Sequence, residues 1–444
     1  MRLWIDGQFL QTASRYRGIG RYMIELMRAL AGARPDIEMS VSFNGAMKAG
    51  LEDAQAVVEG IIAPRNVHLW YGPVAGKNDA AINDRDRALS QLVLAHHVAC
   101  LGPDVALSAS PFEAMAGISA PYQPLAAHGI GSAAVFYDAI PYRFPQKYLA
   151  DPNLLQRFRT ILAAHQRFDH LLAISAFAAS EAKDLIANVP VTTIDAGVSP
   201  DMLAMIGQPA NRRMLQRLNL PDDYLLYVGG LDWRKNVAGA IEAIARLPEP
   251  LRSSLVFVCA GAGPADEVDK LKRQWRGLNL PEANLRSTGF VSDAELIDLV
   301  RLATVLIQPS FSEGFGLTAL EAMTVGTAVI ASNTGALPEV VRNDAALFAP
   351  DDIAAMSALI GKSMTDAAFR AALIKEGTAN AGHYSWDRTA GLAGAALDQA
   401  ARPAPARNLA ETRTITADAF RAAFPEPTPA LIADMARLLS ACEP

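Results

Sequence analysis

Short runs of branched and apolar residues alternate along the chain with longer stretches whose apolar positions recur at helical spacing. In the first part the strand-like runs are Leu3-Trp4-Ile5, Val105-Ala106-Leu107-Ser108, Ala133-Ala134-Val135-Phe136-Tyr137 and Leu171-Leu172-Ala173-Ile174-Ser175, with a helix expected from about Gly20 to Leu30. A second series begins at Tyr224-Leu225-Leu226-Tyr227-Val228. It continues through Leu255-Val256-Phe257-Val258-Cys259, Thr304-Val305-Leu306-Ile307 and Thr327-Ala328-Val329-Ile330-Ala331-Ser332, and ends near Phe348. Such alternation predicts an α/β fold with parallel sheets covered by helices on both faces. Between Asp195 and Asp223 the pattern dissolves into Gly, Pro, Asn and charged residues, which reads as a connection. The expected domains are therefore 1–205 and 223–383, joined by 206–222. A helix opening at Tyr384-Ser385-Trp386-Asp387 occupies 384–401. Residues 402–444 begin with the linker-like Pro403-Ala404-Pro405-Ala406 and hold one or two short helices between Ala417 and Ala441.

Composition narrows the class. Half of the 444 residues are apolar and the net charge is −6, so nothing resembles a nucleic-acid footprint. No apolar run approaches the roughly 18 residues of a membrane span. Met1-Arg2-Leu3-Trp4-Ile5-Asp6 has a strand pattern without the apolar core of a signal peptide. Cys100, Cys259 and Cys442 are few and widely spaced, which argues against a disulfide framework and fits a reducing cytoplasm.

The candidate chemistry begins at Gln308-Pro309-Ser310-Phe311-Ser312-Glu313-Gly314-Phe315-Gly316-Leu317-Thr318-Ala319-Leu320-Glu321. It lies between two strand-like runs, so the unit reads strand, glycine loop, helix, strand. In open α/β sheets ligands bind at the C-terminal ends of such strands. With a helix starting near Leu317, Glu321 lies about one turn in, roughly 6 Å along the axis. Glu313 stays on the loop. A hydrolytic pair holds its carboxyls roughly 5 to 9 Å apart across one bond. A loop glutamate and a helical one suit opposite ends of a longer ligand instead. The N–H groups around Gly316, Leu317 and Thr318 would face an anion between them. Hydroxyls at both ends and phosphate between describe a sugar nucleotide. The plainer alternative is a solvent-facing Glu313 and a Glu321 paired with an arginine.

A second string, Gly229-Gly230-Leu231-Asp232-Trp233-Arg234-Lys235-Asn236, follows the first strand of the second series. Its glycines permit close backbone approach, and Arg234 and Lys235 bring two charges to a pyrophosphate. A basic surface turn is the other reading. Donors fixed on a departing diphosphate are often worth ~3 kcal/mol each. Two cations and a helix N-terminus can replace a divalent ion there, so no catalytic metal is expected. Asp84-Arg85-Asp86 lies in a polar helical run and reads as a solvated face. His96 and His97 are adjacent, cannot share a ligand on a helix, and read as structural.

Together the two strings resemble retaining glycosyltransferases of the large Glu-x7-Glu family, which includes bacterial mannosyltransferases of surface polysaccharide synthesis. The resemblance covers about residues 1–400 and is strongest over 224–345. It implies the GT-B fold: two Rossmann-like domains with parallel sheets facing across a cleft, and a last helix crossing back to the first domain. It implies that Glu313 contacts the transferred hexose, Glu321 the ribose, and Arg234 and Lys235 the diphosphate, with Gly230 and the backbone of Gly314 to Thr318 around them. Phe290 and Val291 belong to a turn that meets the nucleobase through backbone. Phe315 stands within the glycine loop.

In the first domain, Gly18-Ile19-Gly20 lacks the third glycine of a dinucleotide fingerprint, with Met23 in its place. It either lets backbone approach the same diphosphate or forms a tight turn. Tyr137-Asp138-Ala139-Ile140-Pro141-Tyr142 resembles a His-Asp-(x)2-Pro loop with tyrosine in place of histidine. That leaves Asp138 as the candidate contact for hexose or acceptor hydroxyl, with Tyr137 and Tyr142 on the acceptor side. Lys147, Arg157, Arg159 and Arg167 face either a lipid-linked acceptor at the inner membrane surface or plain solvent. The expected reaction moves a hexose, mannose from GDP-mannose as first choice, onto a glycan or lipid-linked saccharide with an α-linkage. An epimerase-like two-Rossmann enzyme and a silent sugar-nucleotide-binding module are the alternatives. The tail over 402–444 would dock a partner or lead into a further domain.

Overall fold

The computed structural model describes residues 1–74, 82–112, 125–261, 263–289, 291–402 and 408–442. The chain forms two compact units, one of Met1–Asp195 with Trp386–Pro444 and the other of Ala196–Ser385.

The strands of the first unit are β1 (Arg2–Asp6), β2 (Glu38–Asn44), β3 (Val67–Trp70), β4 (Val105–Ser108), β5 (Gly131–Phe136), β6 (His170–Ala173) and β7 (Val191–Thr193). They pair in the order β3-β2-β1-β4-β5-β6-β7, all parallel. The second unit holds β8 (Leu225–Val228), β9 (Phe257–Ala260), β10 (Leu285–Gly289), β11 (Val305–Gln308), β12 (Ala328–Ser332) and β13 (Leu347–Phe348). Its order, β10-β9-β8-β11-β12-β13, is parallel too. Both sheets reverse direction of travel at one place, between β1 and β4 and between β8 and β11. In doubly wound sheets the loops leaving the strands at such a point diverge, and the crevice between them is the usual ligand position.

The central strands are buried on both faces and read as continuous apolar runs, which is why they were visible in the sequence. Strands β2, β3, β7 and β10 carry too much polarity for that signal. In β2, Ser42 is fully buried and its hydroxyl accepts the Trp4 indole N–H at 2.7 Å. A polar side chain is tolerated inside a sheet when a partner is built in.

Two expectations are revised and the tail is placed. The first helix runs over Gly18–Ala33, so it starts ahead of Gly20. The stretch 196–223 is no bare connection: it contains short helices at Pro200–Ala204 and Arg213–Arg217, and it belongs to the second unit. The boundary therefore falls at Asp195 rather than 205. Finally, the tail folds onto the first unit. Helices Leu409–Ala423 and Pro429–Ser440 pack on the helix Asp84–Leu101, burying Phe420, Leu431, Met435, Leu438 and Cys442 with Trp4, Trp70, Leu92 and Val93. Helix Trp386–Ala400 packs on the first helix of the same unit. Pro403 to Ala406 lie outside the described residues.

The adjacent histidines explain how the tail is tied down. His96 meets Thr416 Oγ1 at 2.9 Å through Nδ1, and His97 meets Ser42 Oγ at 2.9 Å and the Cys442 carbonyl at 3.4 Å. Burial pushes the His97 imidazolium down to a pKa of about 4, with His68 and His96 adding to the effect. Cys100, Cys259 and Cys442 are buried thiols rather than disulfide partners. Asp84 and Asp86 sit in the first turn of their helix, whose N-cap is Asn83. No group of three or more metal-ligating side chains occurs among the described residues, and no described helix is long and apolar enough to cross a membrane.

Candidate functional site

The loops after β8 and β11 flank the switch point of the second sheet and carry both candidate strings. Glu313 is buried at 6% exposure, not solvent-facing. Its Oε1 accepts from Lys235 Nζ at 2.7 Å and from Ser310 Oγ at 2.6 Å, and its Oε2 accepts from Arg234 Nη1 at 2.9 Å. Burial alone would raise this carboxyl, but the charges of Lys235 and Arg234 overcome it and hold the pKa at about 2. The same Nη1 of Arg234 also donates to the Ser312 carbonyl at 3.2 Å. Along the sequence the cations suit one part of a ligand and the glutamate another. The fold joins them into a single ionic unit.

The unit is braced from below. Asp232 accepts the Arg234 amide at 3.2 Å, and the Phe311 amide donates to the Arg234 carbonyl at 2.7 Å. Asn236 occupies a left-handed conformation, φ 53°, and its side chain donates to the carbonyls of Pro309 and Pro350. Ser332 and Thr334 hydroxyls both donate to the Ser310 carbonyl. Gly335 is required by closeness: a Cβ there would sit 2.6 Å from the Glu313 carbonyl oxygen at a φ of +62°. The turn from Asn333 to Glu339 thus supports the back of the glutamate loop.

From Gly316 (φ +112°) the chain enters the helix Leu317–Thr324. Leu317 and Thr318 form its half-buried first turn, and Glu321 lies at its fifth position with 8% exposure. Gly314 and Phe315 are buried, the Phe315 ring meeting Tyr384 edge-on at 5.5 Å. Near the helix start the Gln308 Oε1 and Ser312 Oγ are buried without hydrogen-bond partners, capacity that such positions seldom leave unused. Gly230 is exposed, and its carbonyl accepts from the Tyr227 hydroxyl at 2.5 Å. Val291 is half-buried beyond β10, and Phe290 lies outside the described residues.

In the first unit, Tyr137 and Asp138 follow β5. Asp138 Oδ1 accepts the Ile140 amide at 3.1 Å at the start of the short helix Ile140–Arg143, and Tyr142 is exposed. The Tyr137 hydroxyl donates to the Ile19 carbonyl at 3.4 Å, so the tyrosine loop meets the Gly18-Ile19-Gly20 segment. Gly20 has a packing reason: a Cβ would lie 2.4 Å from the Ser14 carbonyl oxygen. Gly18 has open space around it. Neither glycine has positive φ. Lys147, Arg159 and Arg167 are exposed and Arg157 is half-buried.

Two further acidic residues lie in no sequence motif. Glu181, on the helix Ala176–Leu185, accepts the Ala139 amide at 3.0 Å and faces Arg143 at 3.5 Å. Burial raises its pKa, and the charge of Asp138 adds to the rise. Asp6 ends β1 beside the other switch point, receives the Gln8 side-chain amide at 2.9 Å, and is pushed by burial up to about 7. Single carboxylates in apolar surroundings carry no motif. Only the hydrophobic context around Asp6 offered a signal.

Comparison with known proteins places this arrangement. Residues 212–380 match the family described as glycosyl transferases group 1. The chain is 30% identical to the O-antigen chain mannosyltransferase B of Escherichia coli over 396 residues, 83% of this chain and 93% of that protein. The chain belongs to the group 1 glycosyltransferases. It is also 30% identical to the serotype-specific mannosyltransferase WbdA of Escherichia coli over 407 residues, 88% of this chain but 47% of that protein. The chain thus spans about half the length of that glycosyltransferase or less, since two further WbdA proteins are matched over 32% of their length. Among solved structures, sucrose-phosphate synthase from Thermosynechococcus elongatus superposes with a TM-score of 0.68 at 18% identity, over 90% of this chain and 98% of that one. WaaG, a glycosyltransferase involved in lipopolysaccharide biosynthesis, gives 0.63 at 17% identity, over 89% and 99%. These likenesses establish the fold of a GT-B glycosyltransferase, two Rossmann-like domains, and nothing finer.

Proposed function

We propose that this glycosyltransferase moves mannose from GDP-mannose to a saccharide acceptor with retention, forming an α-linkage. The observation that carries the reading is the buried Glu313–Lys235–Arg234 unit beside the helix that bears Glu321, at the switch point of the second sheet. Names of relatives at 30% identity support mannose and a surface-polysaccharide acceptor.

In this reading Glu321 accepts hydrogen bonds from the ribose and Glu313 meets the hexose. Arg234, Lys235 and the amides at Gly316 to Thr318 stabilise charge on the departing diphosphate. The acceptor attacks from the face the nucleotide leaves, and a donor phosphate oxygen takes its proton. Glu313, held ionised, positions the sugar and needs no proton of its own. Asp138 contacts the hexose or acceptor hydroxyl. The cations replace a divalent ion, so transfer proceeds in excess EDTA. A lipid-linked acceptor would bring the protein to the inner membrane surface.

Incubation of the purified chain with GDP-mannose, UDP-glucose and other sugar nucleotides, with and without an α-mannosylated acceptor, tests this. Acceptor-dependent mannose transfer from GDP-mannose, with an α-anomer by NMR, is expected. Nucleotide release that never requires acceptor, or transfer from another donor alone, would overturn the proposal.

A further inference from the structure

Trp233 departs from the behaviour of its kind in this chain. Trp4, Trp70 and Trp275 are fully buried, whereas Trp233 is 41% exposed on the loop that carries Arg234. It is not loosely placed. The indole stacks on the Phe311 ring with centroids 4.8 Å apart and planes 17° from parallel. Each ring belongs to a loop fixed to the other through the Phe311 amide and the Arg234 carbonyl, 2.7 Å apart. Each also adjoins the Glu313 unit, Trp233 through Arg234 and Phe311 two residues before Glu313 itself. The result is a flat, rigid aromatic shelf, half in solvent, set against the ionic centre of the site.

Such a surface has a definite chemistry. An aromatic face carries negative quadrupole density and attracts polarised C–H groups, while an anionic phosphate is repelled. A rigid aromatic also loses little conformational entropy on binding. A pyranose offers the complement, with ring C–H bonds on one face and hydroxyls at its edge. We propose that the Trp233–Phe311 shelf is a saccharide subsite on which an acceptor pyranose stacks beside the sugar being transferred. This rests on the reading above, in which Glu313 marks the hexose end of the donor and Glu321 the nucleoside end. A nucleobase would stack at the Glu321 end, whereas the shelf is built onto Glu313.

The test uses the full chain and the variants Trp233→Ala and Trp233→Phe, each checked for an unchanged melting temperature. Saturation-transfer NMR with α-linked mannotriose and no donor reads the subsite directly. Wild type and Trp233→Phe should show ring C–H saturation, and Trp233→Ala should lose it. In transfer assays the KM for mannotriose should rise at least tenfold in Trp233→Ala and less in Trp233→Phe. GDP affinity by calorimetry should stay within twofold. A tenfold loss of GDP affinity in Trp233→Ala would reassign the shelf to the nucleobase and overturn the proposal. Mannotriose binding that survives in Trp233→Ala, or is absent in the wild type, would overturn it as well. The donor-free NMR measurement separates failure of the shelf from failure of GDP-mannose as donor.

Discussion

At the residue scale, the proposed chemistry turns on how Glu313 is kept charged. Its carboxyl is buried, which by itself favours the neutral acid, yet two cations and the Ser310 hydroxyl hold its pKa at about 2 against the ordinary 4.5. The stabilisation this supplies is present above pH 4.5 and is lost as pH falls toward 2, because the unfolded chain binds the proton first. The variant Glu313→Gln should therefore show a flatter melting temperature between pH 4.5 and 3 than wild type. It should also be less stable at pH 7 by about 1–3 kcal/mol, since two partly buried cations lose their counter-charge. Turnover should fall more than GDP affinity. Because Arg234 and Glu313 form one unit, their alanine substitutions should not add. A double-mutant cycle on turnover should give a coupling of about 1 kcal/mol or more, and strict additivity would disprove the unit. Glu321→Ala should weaken GDP by roughly 1–3 kcal/mol in calorimetry. Glu313, Glu321, Arg234 and Lys235 were legible as candidates because each sits in a string with its own local grammar. Glu181 and Asp6 were not, because burial rather than spacing makes them unusual.

At the element scale, the C-terminal helices are part of the first unit's core. They cover one side of Asp84–Leu101 with Phe420, Leu431, Met435 and Leu438. A chain ending at residue 402 should expose that apolar face, bind the dye ANS and melt several degrees lower, at roughly 25 cal/mol for each Å² uncovered. The histidines under the tail add a pH dependence. His97 and His128 are both pushed by burial to a pKa of about 4, with His96 contributing at each. Unfolded, they titrate near 6.5. Between those values the unfolded chain holds more protons, so stability declines as pH drops from about 6.5 to 4. His97→Gln should weaken that decline, measured as melting temperature against pH in wild type and variant. Amphipathic spacing announced helices in the tail. What they would pack on was not announced, because the groove along Asp84–Leu101 is assembled from residues more than 300 positions away.

At the scale of the whole molecule, two parallel sheets each have one switch point in strand order, and the candidate residues lie on loops near the ends of those strands. The apolar runs of β5, β8, β11 and β12 made the α/β class readable in advance, since central parallel strands are buried on both faces. Strands β2, β7 and β10 stayed hidden because a buried serine or a half-exposed edge breaks that pattern. The boundary between the units was misplaced by ten residues for a similar reason. A loop rich in Gly and Pro marks flexible composition, whereas a domain edge is decided by which neighbours the chain contacts. By itself the amino-acid order determined what is local: strand and helix periodicity, a glycine loop entering a helix, two cations four and five positions beyond a glycine pair, two glutamates eight positions apart. Tertiary structure alone decided that one glutamate would be buried between those cations, that a tryptophan would lie flat on Phe311, and that the tail would close a core. Those outcomes depend on partners brought together by folding, whose burial and charge no single segment contains.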